Sequence, residues 1–347
     1  MSRQFDVLIY IGRFQPFHNG HLGVLLRALE IANRVVVVLG SARRARNIKN
    51  PYSDDERHEM VFDAVRQTDA SLAGRVCVAA VRDYYDNGKW VTAVTAEVAN
   101  AIGAAKAGSI GIIGHNKDHS SYYLKEFPQW SGIEVPNQTG VSATDLRAEM
   151  FSASPDAWAK VTRSVPEPVL GKLKAFAATA PYRDLCEEYR AVAAGKKAWA
   201  SAPYPPIFVT VDAVLRVRDH VLMIERKHAP GKGQWALPGG FLDPDERLLD
   251  ASLRELAEET EINLPRDVIM RAYRDREVFD HPDRSVRGRT VTHGFFFDLG
   301  NMPLPRVAGS DDAALAQWVP INNLVNQEAR IFEDHLHIIA RFIDGIL

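Results

Sequence analysis

Short apolar runs alternate with amphipathic stretches along the first third of the chain. The apolar runs are rich in β-branched residues, which is typical of strands buried on both faces of a parallel sheet. They predict strands at Phe5–Ile11, Arg34–Gly40, Arg75–Val81 and Ser109–Gly114. The stretches between them predict helices at Leu22–Ala32, Asp54–Gln67 and Lys89–Ala104. This βαβ alternation predicts an α/β fold with a doubly wound parallel sheet.

The pattern changes twice in the rest of the chain. Apolar residues recur at helical spacing from Pro155 to Ala200, and Ala200–Pro206 then holds three prolines, which is typical of a semi-stiff connector. Apolar runs after the connector predict strands at Ile207–Val217 and Val221–Glu225. We therefore expect three parts: a first domain over residues 1–180, a helical connector and linker over 181–206, and a second domain over 207–347.

Composition restricts the class of protein. A chain of 347 residues is long enough for two domains, each with its own core. The 42 Lys and Arg residues nearly balance the 44 Asp and Glu residues, so we expect neither nucleic acid nor a membrane as a partner. Two cysteines, Cys77 and Cys186, exclude a disulfide framework, and the first apolar run is too short for a signal or membrane segment. We expect a cytoplasmic protein, with a homo-oligomer left open.

A glycine- and histidine-containing segment, Gly12–His21, joins the first predicted strand to the first helix. Phosphates bind at this position in open α/β sheets, because the helix start offers unpaired N–H groups and a positive dipole end. Gly12 and Gly20 permit close approach to the backbone, and His18 and His21 can point at the same phosphate. For the two histidines alone, a metal site or an ordinary surface position is the alternative.

This segment resembles the signature of the nucleotidyltransferase superfamily, which transfers an adenylyl or cytidylyl group from a nucleoside triphosphate to a phosphate. The resemblance implies a Rossmann-like domain in which His18 and His21 stabilise charge at the α-phosphate. A second segment, Ser142–Arg147, resembles the family's Ser/Thr-rich helix start, and it implies a catalytic role for Arg147. A plain capping box of Ser142 with Asp145 is the alternative.

Other segments resemble the nicotinamide mononucleotide (NMN) adenylyltransferase branch. An arginine-rich loop precedes Asn50 and Arg57, and Trp90 begins a predicted helix, where it would stack near the nicotinamide or simply pack in the core. His115 and Lys117 lie in a stretch that resembles bacterial enzymes with a fused second domain. The implied ATP- and NMN-binding residues are Gly12, Arg13, Phe14, Gly20, Asn50, Arg57, Trp90, Ser142 and Thr144.

The second half of the chain contains a glycine-rich segment followed by charged residues at fixed intervals. Trp235–Gly240 precedes Glu246 and Arg254, and a predicted helix follows. This helix presents three glutamates on one face: Glu255, Glu258 and Glu259. Clustered carboxylates repel one another unless they bind a hard cation, and Mg²⁺ accepts such oxygen ligands. A solvated acidic helix is the alternative.

This arrangement closely matches the Nudix box, and the resemblance implies an α/β/α sandwich with a mixed sheet. It also implies Mg²⁺ as cofactor, with Mn²⁺ as a possible substitute. Glu258 and Glu259 would be metal ligands, and Glu255 would be a ligand or the catalytic base. Arg254 would orient these carboxylates, with Glu246 as its partner.

Three further features concern the substrate and the helix end. The resemblance places Gly239 and Gly240 at the substrate. The loop before a predicted strand at Gly294–Leu299 offers arginines for phosphate contacts, unless they are only solvated: Arg284, Arg287 and Arg289. Glu261 stands where the family usually has glycine, often in a left-handed conformation that costs other residues about 1 kcal/mol. We expect a changed helix exit and an intact ligand set.

The two resemblances together imply a bifunctional enzyme of NAD metabolism. The first domain would join ATP and NMN to give NAD and pyrophosphate, and the second would hydrolyse ADP-ribose to AMP and ribose 5-phosphate. Nicotinate mononucleotide, pantetheine phosphate and flavin mononucleotide remain alternative acceptors. A Nudix module that senses ADP-ribose or NAD without cleaving it is the alternative for the second domain.

Overall fold

The computed structural model describes residues 3–103, 108–114, 126–136, 140–152 and 157–347. The chain divides into two compact units, Met1–Cys186 and Glu187–Leu347. No helix in these described ranges is long and apolar enough to cross a membrane.

The first unit contains a five-stranded parallel sheet, which confirms the predicted Rossmann-like fold. Its strands are β1 (Phe5–Gly12), β2 (Ala32–Leu39), β3 (Val76–Ala80), β4 (Ile110–Gly114) and β5 (Ser131–Glu134). They lie in the order β3-β2-β1-β4-β5, so β2 and β3 are added on one side of β1 and β4 and β5 on the other, and the strand order reverses between β1 and β4. Crevices at such a reversal, outside the carboxyl ends of the strands, are where open α/β sheets bind ligands.

Eight helices of the described residues accompany or follow this sheet. They are α1 (Asn19–Ile31), α2 (Asp54–Thr68), α3 (Ala70–Ala73), α4 (Asn87–Ile102), α5 (Ala143–Ser152), α6 (Ala157–Ser164), α7 (Glu167–Ala177) and α8 (Ala180–Ala198). The helical stretch expected from Pro155 is interrupted at Pro166, because proline lacks the N–H that would continue α6. The expected end of α4 at Ala104, together with His115 and Lys117, falls outside the described residues.

The second unit contains a seven-stranded mixed sheet. Its strands are β6 (Phe208–Val217), β7 (His220–Arg226), β8 (Trp235–Ala236), β9 (Gly239–Phe241), β10 (Tyr273–Phe279), β11 (Thr290–Asp298) and β12 (Ala313–Pro320). Only β6 and β11 pair in parallel; the other described pairs are antiparallel.

Helices cover both faces of this second sheet, which confirms the predicted α/β/α sandwich. They are α9 (Leu248–Thr260), α10 (Arg266–Arg271), α11 (Ile321–Leu324) and α12 (His335–Phe342), with a 3₁₀ turn at Val325–Arg330. Leu253 and Leu256 of α9 join one apolar core, whereas Ile338 and Ile339 of α12 join a second one. The burial of α9 on one side leaves its charged side for chemistry.

Candidate active sites

Two histidines cap α1 with their own ring nitrogens. His18 Nδ1 accepts hydrogen bonds from the N–H groups of Gly20 (3.1 Å) and His21 (3.4 Å), and His21 Nδ1 accepts from the His18 N–H (3.3 Å). The rings stack with their centroids 3.6 Å apart. Because both Nδ1 atoms act as acceptors, each neutral ring carries its proton on Nε2. The pair therefore places two Nε2–H groups at a helix start.

Aromatic packing fixes this loop from inside. Phe14 is buried at a positive φ of 51° and meets the His21 ring edge-on at 4.9 Å. A Cβ on Gly12 would lie 2.8 Å from the Phe14 ring. Gly12 thus makes room for Phe14, and the Phe14 ring is buried rather than presented to a ligand.

Arg147 connects three segments of the first unit. Its buried guanidinium donates to the carbonyls of Gln15 (2.6 Å) and Ile48 (3.0 Å) and to Thr144 Oγ1 (3.1 Å). Burial, with the nearby charge of Arg13, lowers its pKa to about 10, so it remains a cation at neutral pH. The guanidinium of Arg147 therefore links the two segments that the sequence singled out, Gly12–His21 and Ser142–Arg147.

Arg57 is buried, whereas the sequence predicted a residue that contacts ATP or NMN. Its guanidinium is fully buried and donates to the carbonyls of Arg13 (2.8 Å) and Gly40 (2.7 Å) and to Asp54 Oδ1 (2.6 Å). The direct binding role expected for Arg57 is thus replaced by a structural one. The two carbonyl partners lie in other loops, so the sequence alone did not indicate this burial.

The other candidates of the first unit differ in accessibility. Asn50 is buried, and its Oδ1 has no partner among the described residues. Trp90 is half-buried and packs against Phe127 at 5.6 Å within the core, which favours the core-packing alternative. Ser142 precedes α5 and Thr144 lies in its first turn.

In the second unit, the carboxylates of α9 converge on Arg254. Its Nε and Nη2 bind Glu246 (3.0 and 2.7 Å), and its Nη1 binds Glu255 and Glu258 (both 2.9 Å). These bonds raise the pKa of Arg254 and hold the expected Arg254–Glu246 pair. In the described ranges, no three His, Cys, Asp or Glu side chains form a ready metal-binding group. The guanidinium of Arg254 holds Glu246, Glu255 and Glu258 close together.

Two glutamates of α9 are shielded from water, Glu259 almost completely and Glu255 in part. Glu259 accepts the Gly239 N–H at 2.9 Å, and burial raises its pKa to about 8. Burial also raises the pKa of Glu255. A Cβ on Gly240 would lie 2.4 Å from Glu255 Oε1, whereas one on Gly239 would lie 2.2 Å from the backbone carbonyl oxygen of Val211. Both glycines are thus required for packing around the carboxylates.

The three candidate arginines have separate surroundings. Arg284 forms a buried bidentate ion pair with Asp334 (both distances 2.9 Å), which corrects its expected substrate contact. Arg289 donates to the Asp280 carbonyl. Arg287 lies over the ring of Phe241, 5.1 Å from the centroid, and it remains the arginine closest to the expected role.

Sequence analysis did not select Arg226. Its guanidinium lies over the Phe332 ring at 4.3 Å, and its charge acts on buried Glu259. Arg287 faces the same ring at 6.0 Å. A basic residue at the end of an apolar strand was the only signal available in the sequence.

These observations define the class of the protein: a nucleotide-binding parallel sheet joined to a Nudix-type sandwich. The Cytidylyltransferase-like family model matches residues 9–149, and the NUDIX domain family model matches residues 206–342.

Known proteins resemble both halves and the whole chain. A crystal structure of a bifunctional NMN adenylyltransferase/ADP ribose pyrophosphatase from Francisella tularensis is 38% identical, with a TM-score of 0.90, and the match covers 99% of this chain and all of that one. A second structure from that organism, complexed with AMP and Mn ion, has a TM-score of 0.89, is 37% identical, and the match covers 99% and 100% of the two chains. The chain belongs to this family of bifunctional NMN adenylyltransferase/ADP-ribose pyrophosphatases.

Two relatives match one half each. The nicotinamide/nicotinic acid mononucleotide adenylyltransferase of Acinetobacter baylyi is 38% identical over 190 residues, which are 54% of this chain and 95% of the relative. The ADP-ribose pyrophosphatase of Methanocaldococcus jannaschii is 33% identical over 135 residues, which are 39% of this chain and 72% of the relative.

Proposed function

We propose that the first domain transfers the adenylyl group of ATP to NMN and releases pyrophosphate, forming NAD. The stacked His18–His21 pair at the start of α1 carries this proposal. A phosphate oxygen of NMN attacks the α-phosphorus in line as pyrophosphate leaves, without a covalent enzyme intermediate. The two Nε2–H donors and the buried Arg147 cation stabilise the negative charge that develops on the transferred group.

The remaining candidate residues of the first domain either contact the nucleotides or hold the loop that carries the histidines. We assign Arg13, Gly20, Asn50, Ser142 and Thr144 to contacts with the two nucleotides. Phe14 and Arg57 hold the loop in place, as their burial indicates, and Gly12 leaves room for the Phe14 ring. Trp90 packs against Phe127 and the core rather than forming a free stacking face.

The acceptor is tested by offering NMN, nicotinate mononucleotide, pantetheine phosphate and flavin mononucleotide separately with ATP. We expect dinucleotide formation to be fastest with NMN. A faster reaction with pantetheine phosphate or flavin mononucleotide would contradict the assignment.

We infer that the second domain hydrolyses ADP-ribose to AMP and ribose 5-phosphate. The carboxylates of α9 suit a divalent cation, since they are oxygen donors and burial raises the pKa of Glu259, so that a bound cation would favour its ionised form. A bound Mg²⁺ or Mn²⁺, held by Glu255, Glu258 and Glu259, would neutralise the diphosphate and lower the pKa of an attacking water.

Residues of the chain itself prepare this reaction. Glu255, with a pKa raised by burial, accepts a proton from water more readily than an exposed carboxylate does. Arg254 fixes the orientation of Glu255 and Glu258, and Glu246 in turn fixes Arg254. Arg226 and Arg287 supply positive charge beside the substrate.

The test is AMP release from ADP-ribose in the presence of Mg²⁺. We expect Glu258→Gln to lower the rate by at least about 100-fold, because the variant loses a metal ligand. Asp250→Asn changes an exposed carboxylate of the same helix and serves as the matched control. ADP-ribose binding without turnover in the wild-type protein would favour the sensing alternative.

A further inference from the structure

The loop after β2 contains three arginines within four residues, and two of them are paired within the chain. Arg44 Nε lies 3.0 Å from Asp83 Oδ2. Arg46 Nη1 and Nη2 bind the carboxylate of Glu56 at 2.6 and 3.0 Å. Arg43 differs from both, because its exposed guanidinium pairs with none of the residues that the structure describes. The loop therefore presents one arginine whose charge the chain itself does not use.

The backbone of Arg43 is held in an unusual conformation. Its φ of 62° lies in the left-handed region, which is sterically unfavourable for residues other than glycine. Both carboxylate oxygens of Asp54 accept the Arg43 N–H, at 3.0 and 3.3 Å. Strained positions that neighbouring groups hold in place are concentrated at ligand-binding sites. The conformation thus indicates a function for the side chain at this position.

The same carboxylate connects Arg43 to the edge of the sheet where the histidine pair lies. Asp54 Oδ1 binds Arg57 Nη2 at 2.6 Å. The Nη1 of Arg57 donates to the carbonyls of Gly40 (2.7 Å) and Arg13 (2.8 Å), which follow β2 and β1. Asp54 and Arg57 therefore fasten the Arg43 backbone to the loop that continues into the two histidines.

Arg13 adds a second unpaired cation to this edge. Its guanidinium is exposed and, within the described ranges, has no partner. Burial lowers the pKa of Arg57 and of Arg147, and the charge of Arg13 lowers both further, so these cations lie near one another. Asp54 is already engaged by Arg57 and by the Arg43 N–H. Cations brought together in this way favour the binding of a polyanion.

Resting on the proposed adenylyl transfer, we propose that Arg43 binds a phosphate group of the nucleotide substrates. A guanidinium matches a phosphate group with two parallel N–H···O bonds. Arg44 and Arg46 stay in their ion pairs and hold the loop. Arg43 is thus the arginine of this loop that contacts substrate, together with Arg13 and Arg147 from the neighbouring segments.

The test measures KM for ATP and for NMN separately in the full chain. Arg43→Gln should raise KM about tenfold for the substrate whose phosphate it contacts, because a charge-assisted hydrogen bond is lost. A rise for ATP assigns Arg43 to the triphosphate, and a rise for NMN assigns it to the acceptor phosphate. Arg43→Lys keeps the charge and should recover part of the loss. Arg27→Gln removes an exposed arginine farther along α1 and should change neither KM.

Unchanged KM values for both substrates in Arg43→Gln, or equal increases in Arg27→Gln, would overturn the proposal. If the wild-type chain forms no dinucleotide with any acceptor, the proposed transfer is wrong, and the phosphate site is tested by calorimetric titration with inorganic tripolyphosphate. The wild-type protein should then bind tripolyphosphate more tightly than Arg43→Gln does. Equal affinities of the two proteins would overturn the phosphate site as well.

Discussion

Glu261 ends α9 in a backbone conformation that normally belongs to glycine. Its φ of 42° and ψ of 35° are left-handed, and its N–H donates to the Ala257 carbonyl at 3.1 Å. The changed helix exit that the sequence suggested is therefore absent, because the glutamate adopts the conformation expected of the family's glycine. The substitution costs free energy but leaves the path of the chain and the carboxylates of α9 in place.

We predict that Glu261→Gly stabilises the second unit. Relief of the left-handed strain should contribute about 1 kcal/mol and raise the melting temperature by about 2–4 °C. Scanning calorimetry measures this, and Glu261→Ala is the control because it removes the side chain but keeps the Cβ. An equal gain in both variants would place the effect in the side chain instead.

The sequence showed which residues belong to the motifs, but it did not show which of them would be buried in structural contacts. The motif residues His18, His21 and Arg254 lie where local spacing placed them, because their partners are near in sequence or at the same strand end. Arg57 and Arg284 become buried through partners brought by the fold, such as Asp334. Neither burial nor a distant partner follows from a local pattern.

At the level of elements, α2 is fastened to the loops after β1 and β2 by Arg57. We predict that Arg57→Ala lowers the free energy of unfolding of the first unit by about 3–5 kcal/mol, because it leaves buried carbonyls and Asp54 without their partner. Denaturant unfolding measures this change. Arg66→Ala on the same helix removes an exposed pair with Asp63 and should cost no more than about 0.5 kcal/mol.

The start of α12 contains a buried histidine. His335 Nδ1 accepts the Leu237 N–H at 2.8 Å, and its Nε2 lies 3.8 Å from Asp212 Oδ1. Burial lowers its pKa below the ordinary value of 6.5, assisted by Arg284 and opposed by the neighbouring carboxylates: Asp212, Glu333 and Asp334. The folded state therefore prefers the neutral ring.

This preference predicts a dependence of stability on pH. Since the folded pKa is depressed, the contribution of His335 is complete above about pH 6.5 and is lost as the pH falls below that value. We expect the melting temperature of the second unit to fall less between pH 7 and pH 5 in His335→Asn, which keeps an acceptor but does not titrate. His228→Asn, at an exposed position, should behave as the wild type.

At the scale of the whole molecule, each unit has its own core and its own set of reactive side chains. We predict that the two reactions can be abolished separately. His21→Ala should abolish NAD formation and leave ADP-ribose hydrolysis unchanged, and Glu258→Gln should do the reverse. Assays of both activities on both variants decide this, and loss of both activities in a folded single variant would contradict separate sites.

The fold was more predictable than the surroundings of its sites. Strands such as β2 and β6 were visible because buried strands require long apolar runs. The contacts of Phe208 with Trp199 and Phe241 were not visible, since these residues are far apart in sequence and meet only in the folded chain.

The two neighbouring glycines of β9, Gly239 and Gly240, differ in whether a second substitution could make room for a side chain. A side chain at Gly240 would collide with Glu255, whose own side chain can be shortened. A side chain at Gly239 would collide with the main chain of β6, which no single replacement elsewhere removes. Glu255→Asp would relieve the collision caused by Gly240→Ala but would also withdraw the carboxylate proposed to act in catalysis, whereas no second substitution relieves the collision at Gly239.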